Sequence, residues 1–402
     1  MALQTPRQDA EPGRQRVLVL GGGFGGLFTA LNLARHGGNL TVQLVEPRQR
    51  FLFSPFLYEL LSGELRLWEV APRFDQLLAG CGIVQFRQRA VSVDPRRRSV
   101  LTDAGSRLGY DRLVIATGGQ QETFGIPGAA EHAIPFRSLE DLRRTARLLE
   151  QLRQQRGAQG RIAVVGAGYS GVELACKLAD LLKGAAEVTL IEQAQQALEN
   201  CKAFNREQAL AALRKRAVAL RCSTRVLALE SGSLLLERQG QRQDLPVDGT
   251  LWTAGLGVRP PSIEAELPDQ PRGRLRCTET LMVKGLEGVY ALGDVALVAG
   301  ADGGSLPATA QVALQQAECL ADNLIASFSG APQRPFRWHD LGEMLSLGIA
   351  DATLTAMGVT MAGPAAARLR QAIYLARLPG SRHRIDVALG WLGGIALSGL
   401  PS

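Results

Sequence analysis

One pattern of hydrophobic and polar positions occurs twice along the chain. The apolar run Val17–Leu20 precedes a glycine-rich segment, and the apolar run Ile162–Val165 precedes another. Short apolar runs bounded by turn residues are typical of buried strands in a parallel sheet. The segment that follows the first glycines, Phe24–Arg35, predicts a helix. The pattern therefore predicts a strand–turn–helix unit at two places.

Both glycine-rich segments fit the spacing G-x-G-x-x-G. They are Gly21–Gly26 and Gly166–Gly171. In this motif the first glycine allows a tight turn, the second lets the backbone approach a pyrophosphate, and the third lets helix and strand pack closely. The free N–H groups and positive dipole end of the helix then face the phosphates.

An acidic residue accompanies each glycine motif. Glu46 follows the predicted strand Thr41–Val45, and Glu192 follows Val188–Ile191, each about 20 residues after its motif. A carboxylate at this place accepts hydrogen bonds from a ribose 2′-hydroxyl. One glycine motif would be weak, because glycines also mark ordinary turns. Two copies with their acids predict two dinucleotide sites.

Later strands repeat the duplication. Leu113–Gly119 and Leu251–Gly255 are apolar segments that end in small residues, which let the backbone come close to a ligand. A third segment, Gly288–Asp294, closes on Gly-Asp, and a helix is predicted after Leu306–Gln311, as far as about Ser327.

This layout resembles the flavoproteins with two dinucleotide-binding domains, over roughly residues 16–330. The resemblance implies an α/β fold of two Rossmann-like domains, with the NAD(P)H domain inserted into a discontinuous FAD domain. The expected division is a disordered tail, an FAD domain in two pieces, an NAD(P)H domain and a C-terminal membrane-association or dimerisation segment. The corresponding ranges are 1–15, 16–120 with 286–335, 121–285 and 336–402.

The same resemblance implies the cofactor-binding residues. FAD is expected at Gly21, Gly23, Phe24, Gly25, Gly26, Glu46, Ala90, Ala116, Thr117, Gly118, Gly293, Asp294 and Ala310. NAD(P)H is expected at Gly166, Gly168, Gly171, Glu192 and Gly255. Because Glu192 repels a 2′-phosphate and the next residues offer no guanidinium, NADH is favoured over NADPH.

Further segments resemble the type II NAD(P)H:quinone dehydrogenases, and within them the cyanobacterial and plastid branch of demethylphylloquinone reductases in vitamin K1 biosynthesis. The segments are Phe51–Glu59, Tyr58–Leu65, Trp68–Phe74, Ala310–Gln316, Leu341–Gly348 and Tyr374–Pro379. The resemblance implies electron transfer from NAD(P)H through FAD to a membrane quinone. Plastid members carry a transit peptide that Met1–Gln15 does not resemble, which favours a bacterial source.

Three residues are candidates for the chemistry. Gln311 is a candidate for hydrogen bonding to a quinone carbonyl or the flavin edge, and Gln315 falls one turn later on the same face. The alternative for Gln311 is a helix-start residue that bonds the backbone. Glu173 is a candidate for proton relay or for seating the nicotinamide; its alternative is a favourable charge at a helix N-terminus.

Composition narrows the remaining possibilities. The chain has 402 residues and a net charge of +7, and all but five of its 45 basic residues are arginine. A basic balance suits an anionic membrane surface, whereas no nucleic-acid motif accompanies it. The six cysteines and four histidines are scattered, so neither a redox cysteine pair nor a metal site is expected.

The C-terminal segment is expected to control access to a lipid-tailed substrate. From Pro364 onward it carries five arginines and one acid, and Val387–Leu397 is apolar. Leu369 and Ile373 share a predicted helix face that Arg370 and Arg377 flank. Such an element can lie in a membrane interface. We expect peripheral attachment at the cytoplasmic side of a thylakoid or plasma membrane; a cap or homodimer seam is the alternative.

Two other functions remain open from the sequence. One is a soluble flavin reductase of a protein or inorganic acceptor, similar to a ferredoxin reductase, whose arginines dock an acidic partner. The other is a redox-sensing protein that binds flavin and nicotinamide but turns over slowly.

Overall fold

The computed structural model describes residues 14–155, 159–300 and 304–398, with side chains as far as 392. These residues form two compact units. The first unit comprises residues up to 51 with 71–120 and 257–340, and the second comprises 52–70, 121–256 and 341 onward. Most of the predicted tail lies outside the described residues, whereas Gln15 already begins a strand.

The described residues contain eleven α-helices and 24 strands. The helices are α1 Phe24–His36, α2 Leu57–Ser62, α3 Leu67–Val70, α4 Phe74–Leu78, α5 Ala129–His132, α6 Leu139–Gln154, α7 Tyr169–Leu182, α8 Ala203–Lys215, α9 Ala310–Ser329, α10 Pro364–Ala376 and α11 Ser381–Ser398. The strands are β1 Gln15–Leu20, β2 Leu40–Val45, β3 Val84–Phe86, β4 Ala90–Asp94, β5 Ser99–Thr102, β6 Arg107–Gly109, β7 Arg112–Ile115, β8 Gln120–Gln121, β9 Ala133–Pro135, β10 Gly160–Val165, β11 Ala186–Ile191, β12 Ala219–Arg221, β13 Arg225–Glu230, β14 Ser233–Arg238, β15 Gln241–Pro246, β16 Gly249–Trp252, β17 Leu256–Gly257, β18 Ser262–Ile263, β19 Leu275–Arg276, β20 Val289–Ala291, β21 Ala296–Leu297, β22 Glu343–Ser346, β23 Ala352–Ala356 and β24 Val359–Ala362.

The first unit is built on a five-stranded parallel sheet in the order β20-β7-β1-β2-β3. Its central strand carries the first glycine motif. The apolar residues that predicted β1 and β7 are fully buried, because helices cover parallel sheets on their faces. Helix α1 packs against α9. A second sheet of the same unit has the order β18-β4-β5-β6.

The second unit repeats this arrangement in the order β12-β11-β10-β16-β9, again entirely parallel. Strand β10, which carries the second glycine motif, is central. The duplication differs at one edge: β9 comes from before the motif strand, whereas its counterpart β20 comes late in the first unit. Two antiparallel sheets, β13-β14-β15 and β22-β23-β24, complete the unit.

Register brings the functional strand ends into line in both sheets. Leu20 pairs with Val45 and Ile115, and Val165 pairs with Ile191 and Trp252. The residues just after these ends therefore lie along one carboxyl edge of each sheet. The strand order changes direction at β1 and β10, and such a switch point is where open α/β sheets bind ligands.

The C-terminal helices correct one expectation. Arg370 was expected to flank an apolar helix face at a membrane interface, but it is only 2% exposed and lies inside the second unit. The ion pair described below satisfies its charge, so this arginine cannot face a membrane. No helix among the described residues is both long and apolar enough to cross a bilayer.

Helix α6 shows how local sequence sets an element boundary. The Ser138 hydroxyl accepts a hydrogen bond from the Asp141 N–H at 3.1 Å, and the Asp141 carboxylate accepts one from the Ser138 N–H at 2.9 Å. This reciprocal capping box satisfies two backbone donors that a helix start leaves free. The helix then buries Leu148, Leu149 and Leu152.

We predict that Ser138→Ala lowers the free energy of unfolding by about 1 kcal/mol, because the Asp141 N–H loses its acceptor. The urea midpoint measures this effect. Ser138→Asn restores an acceptor and should lie within a few tenths of a kcal/mol of the parent. Equal losses in both variants would show that the cap does not stabilise α6.

Candidate functional site

The first glycine motif forms a tight turn between β1 and α1. Gly21 has a φ of +96°, in the region that L side chains rarely adopt. Its N–H donates to the Val45 carbonyl at 2.9 Å. A Cβ at Gly26 would overlap the carbonyl oxygen of Gly21, so helix and turn approach as closely as the motif requires. A Cβ at Gly23, in contrast, would meet nothing within 4 Å.

Glu46 ties this turn to the neighbouring strand. Its Oε2 accepts a hydrogen bond from the Gly22 N–H at 2.7 Å, and the carboxylate is 2% exposed. The Arg48 guanidinium also donates to both carboxylate oxygens at 2.8 Å. Burial alone would raise the pKa of Glu46, but the hydrogen bonds and charge of Arg48 outweigh burial and hold it below its usual value.

The second motif has nearly the same geometry. Gly166 has a φ of +97°, and its N–H donates to the Ile191 carbonyl at 2.8 Å. A Cβ at Gly171 would overlap the Gly166 carbonyl oxygen, while one at Gly168 would meet nothing within 4 Å. Glu192 accepts from the Ala167 N–H at 2.7 Å and the Ala194 N–H at 2.9 Å.

The two acids differ in one respect. Position 48, two residues after Glu46, is an arginine, whereas the matching position 194 is an alanine. Glu192 therefore lacks the guanidinium that covers Glu46, and it is also more exposed. The first acid carries its own counter-charge, while the second is held by two backbone N–H groups.

Other predicted residues of the first unit gather around its motif. The Ala116 carbonyl lies against Gly21, so the segment Ala116, Thr117 and Gly118 follows β7 at the same edge of the sheet. Leu292 packs over Gly25. This contact brings Gly293 and Asp294 close to the start of α1. Ala90 begins β4, in the other sheet of the unit.

Helix α9 presents the two candidate glutamines in different settings. Gln311 accepts a hydrogen bond from the Trp338 indole N–H at 3.1 Å. The Gln315 amide bonds the backbone of His339 at both ends, at 2.9 and 3.0 Å. Helix α9 starts one residue before Gln311, at Ala310, and Thr309 caps it by accepting from the Val312 N–H.

Glu173 lies on α7 in a buried cluster of polar groups of the second unit. It accepts a hydrogen bond from the Ser346 N–H at 2.8 Å, and the Tyr58 hydroxyl also bonds it. The Arg370 guanidinium is 3.6 Å away. Burial raises the pKa of Glu173 to about 7, although Arg370 and the Ser346 N–H act in the opposite direction.

Several residues that contact the predicted site residues were not found from the sequence. Gln316, 2% exposed, accepts from the Gly293 N–H at 2.8 Å and so fixes the Gly-Asp turn. Arg48 lies two residues after Glu46, which was predicted to bind a cofactor. This short spacing is a signal from which the ion pair could have been predicted. Glu59 and Arg370 pair across 311 positions of sequence, and no local signal could find such a pair.

Gly255 is another glycine that lies close to neighbouring atoms: a Cβ there would crowd the Phe124 ring and the Glu122 carbonyl.

Among the described residues, no group of three or more His, Cys, Asp or Glu side chains could hold a metal ion. All six cysteines are described and are free thiols.

The fold and its two acid-anchored turns define a protein with two Rossmann-like dinucleotide-binding domains. The family model described as pyridine nucleotide-disulphide oxidoreductase matches residues 15–317. The demethylphylloquinone reductase NdbB of Synechocystis is 41% identical over 388 residues, covering 94% of this chain and 96% of the relative. The alternative NAD(P)H-ubiquinone oxidoreductase C1 of Arabidopsis thaliana is 37% identical, covering 96% of this chain and 82% of the relative.

A solved structure shows the same fold. NDH2 from Plasmodium falciparum, in complex with NADH, superposes with a TM-score of 0.84 at 17% identity, covering 94% of this chain and 98% of that chain. The chain therefore belongs to the pyridine nucleotide-disulphide oxidoreductase family, in the branch of the type II NAD(P)H:quinone dehydrogenases. The predicted resemblance and the predicted fold class are confirmed.

Two glycines of the first motif should respond differently to alanine. Gly26→Ala should lower the free energy of unfolding by about 1–3 kcal/mol, because the new methyl overlaps backbone. When both proteins are compared free of cofactor, Gly23→Ala should leave it within about 0.5 kcal/mol, since the methyl meets open space. Urea unfolding measures both. A Gly26→Ala variant as stable as the parent would contradict the close packing of helix and turn.

Proposed function

We propose that this chain is an FAD-dependent oxidoreductase that transfers two electrons from NAD(P)H to a membrane naphthoquinone of the demethylphylloquinone type. The observation that carries the proposal is the duplicated turn: two motif loops, each held by a carboxylate on a backbone N–H at 2.7 Å. Two such loops serve two dinucleotides, which a flavoenzyme reducing a quinone from NAD(P)H needs.

The residues present fit both cofactors. In each unit the second motif glycine faces open space at a helix start that no side chain caps, as a pyrophosphate requires. We assign FAD to the first unit and NAD(P)H to the second, with the cofactor domains at 16–120 plus 286–335 and at 121–285. When bound, FAD would supply hydride acceptance and two-electron transfer, and the residues of the two motifs would bind and orient the cofactors.

Within the first unit we assign the adenosine ribose of FAD to Glu46 and the ribityl side to Asp294. The Gln316 amide supports this assignment, because it holds the turn that presents Asp294. Arg48 supplies a fixed positive charge beside Glu46. In the second unit the half-buried carboxylate of Glu192 favours a ribose hydroxyl over a 2′-phosphate, so we propose NADH as the better donor.

A quinone acceptor is supported by the names of the relatives and by the cysteines. A disulfide acceptor calls for a reactive thiolate. Burial raises the pKa of Cys176, which follows the second motif, to about 12, so this thiol is a poor nucleophile at neutral pH. We place Gln311 and Gln315 at the quinone-binding side of α9. Glu173 is the proposed proton-holding group.

Helix α11 supports peripheral membrane attachment. Ile385, Leu389 and Leu392 lie one turn apart on one face and are 58%, 61% and 64% exposed. Exposed Arg382 lies on the same helix. The indole of Trp68 packs over Gly390 of this helix. An apolar face next to basic residues suits an anionic lipid surface. We propose attachment at the cytoplasmic side, with a homodimer seam as the competing use of this face.

The purified protein should be yellow, and NADH should bleach it anaerobically. Menadione, a naphthoquinone, should restore the colour, and NADH should show a lower KM than NADPH in the steady state. Bound flavin that no quinone reoxidises would exclude quinone reduction and favour a soluble reductase of another acceptor. Turnover well below about 1 s⁻¹ with every quinone would favour a sensor.

Matched glycine variants separate the two cofactors. Gly23→Ala should fold but lose flavin, because its methyl stands where the pyrophosphate passes. Gly168→Ala should keep its yellow colour and be bleached by dithionite, yet react with NADH about tenfold or more slowly. Flavin loss in Gly168→Ala but not in Gly23→Ala would reverse the assignment of the units.

Replacing two leucines tests the membrane face. Leu389→Glu/Leu392→Glu should weaken binding to anionic phosphatidylglycerol vesicles by at least about tenfold, since two apolar side chains no longer enter the interface. Co-sedimentation measures binding. Met357→Glu, at an apolar residue that is 93% exposed elsewhere in the second unit, is the control and should bind like the parent. Unchanged vesicle binding with an altered sedimentation coefficient would identify a dimer seam instead.

A further inference from the structure

One arginine of the second unit is shared by two buried carboxylates. Arg370 and Glu59 are 2% and 3% exposed, and Glu173 is 8% exposed. The Arg370 Nη1 donates to Glu59 Oε1 at 2.6 Å, while its Nη2 lies 3.6 Å from Glu173. One guanidinium thus meets two acids out of water, where unpaired charge is costly.

The geometry ranks the two acids. Glu59 takes the short, direct bond, and the Pro55 carbonyl takes the Nη2 donor at 2.7 Å. Glu173 is left with a longer approach to the same cation. The Glu59 Oε2 and the Arg370 Nε, both buried, have no hydrogen-bond partner within the described part of the chain. Arg370 therefore neutralises the charge of Glu59 well and that of Glu173 only partly.

We propose that Glu59 and Arg370 are positioning residues that leave Glu173 only partly neutralised, so that it holds one exchangeable proton for the quinone-reducing reaction. This inference rests on the proposed function. NADH supplies a hydride, so converting a quinone into a quinol takes one further proton from solution. A buried carboxylate that gains and loses a proton near neutral pH can hold it.

Burial moves the pKa values of two tyrosines and one cysteine around Glu173 further above neutral pH. Burial raises the pKa of Tyr58 on α2 and of Tyr374 on α10 above the usual phenol value. Burial also raises the pKa of Cys176, on the same helix as Glu173, to about 12. Lys177 is bound to Glu64 and to the Gly348 carbonyl. From β22 only the Ser346 N–H reaches the carboxylate.

Proton linkage makes the proposal measurable without any cofactor chemistry. Burial holds the pKa of Glu173 at about 7, above its ordinary value of 4.5, so the folded protein binds more protons than the unfolded chain between these values. The contribution of this group to stability is present below about pH 4.5 and is lost as pH rises through about 7. The Tm of the parent should therefore fall with rising pH as Glu173 loses its proton. Glu173→Gln should abolish this part of the fall.

Glu59→Gln is the decisive variant. It removes one negative charge and frees Arg370 for Glu173, so both effects lower the pKa of Glu173. The midpoint of the Glu173-dependent fall in Tm should move to lower pH by about one unit. The pH profile of kcat with NADH and menadione should move in the same direction. Arg370→Gln, if it folds, should move both midpoints to higher pH.

Asp180→Asn is the matched control. Asp180 lies on α7 with Glu173 and binds Arg216 at 2.8 Å, so its loss also breaks a carboxylate–arginine pair. It should lower stability without moving either midpoint. A Glu59→Gln midpoint that stays at the parent value, or a Glu173→Gln curve with the parent's pH dependence, would overturn the inference. A shifted Tm midpoint in a protein that reduces no quinone would confirm the charge coupling but overturn its role in the reaction, along with the proposed function.

Discussion

The two glycine loops depend on one interaction: a carboxylate at the end of the second strand accepts a hydrogen bond from the backbone of the loop. Glu46 does this for Gly22, and Glu192 does it for Ala167. The bond spans neighbouring strands, so it fixes the loop relative to the sheet edge.

The copies diverge around this shared interaction. Arg48 neutralises the first acid and holds its pKa low, whereas Ala194 leaves the second acid uncovered. The edge strands diverge too, since β9 enters its sheet from before the motif strand. The two copies therefore share the geometry of the glycine loop and differ in the charge beside the acid and in one edge strand.

The buried cluster of Glu59, Glu173 and Arg370 illustrates a different constraint. Its members come from α2, α7 and α10, and α10 belongs to the segment that the sequence assigned to the surface. The guanidinium of Arg370 also lies over the Tyr374 ring, at 4.8 Å from the centroid. From the sequence, aliphatic residues flanked by arginines predicted an amphipathic face for this helix. Only a carboxylate on a remote helix made burial of the charge possible.

The sequence by itself determined what local spacing controls. It determined the motif strands, helices α1 and α7, the acids at positions 46 and 192, and the helix that follows Asp294. These features follow from periodicity and from turns that only glycine can make, both of which are short-range. Tertiary structure decided the partner of Arg370, the position of β9 and the hydrogen bond that Gln316 accepts from the Gly293 N–H. Each depends on residues distant in the chain that meet only when the sheets close, because pairing energies between buried polar groups exist only once water has been excluded.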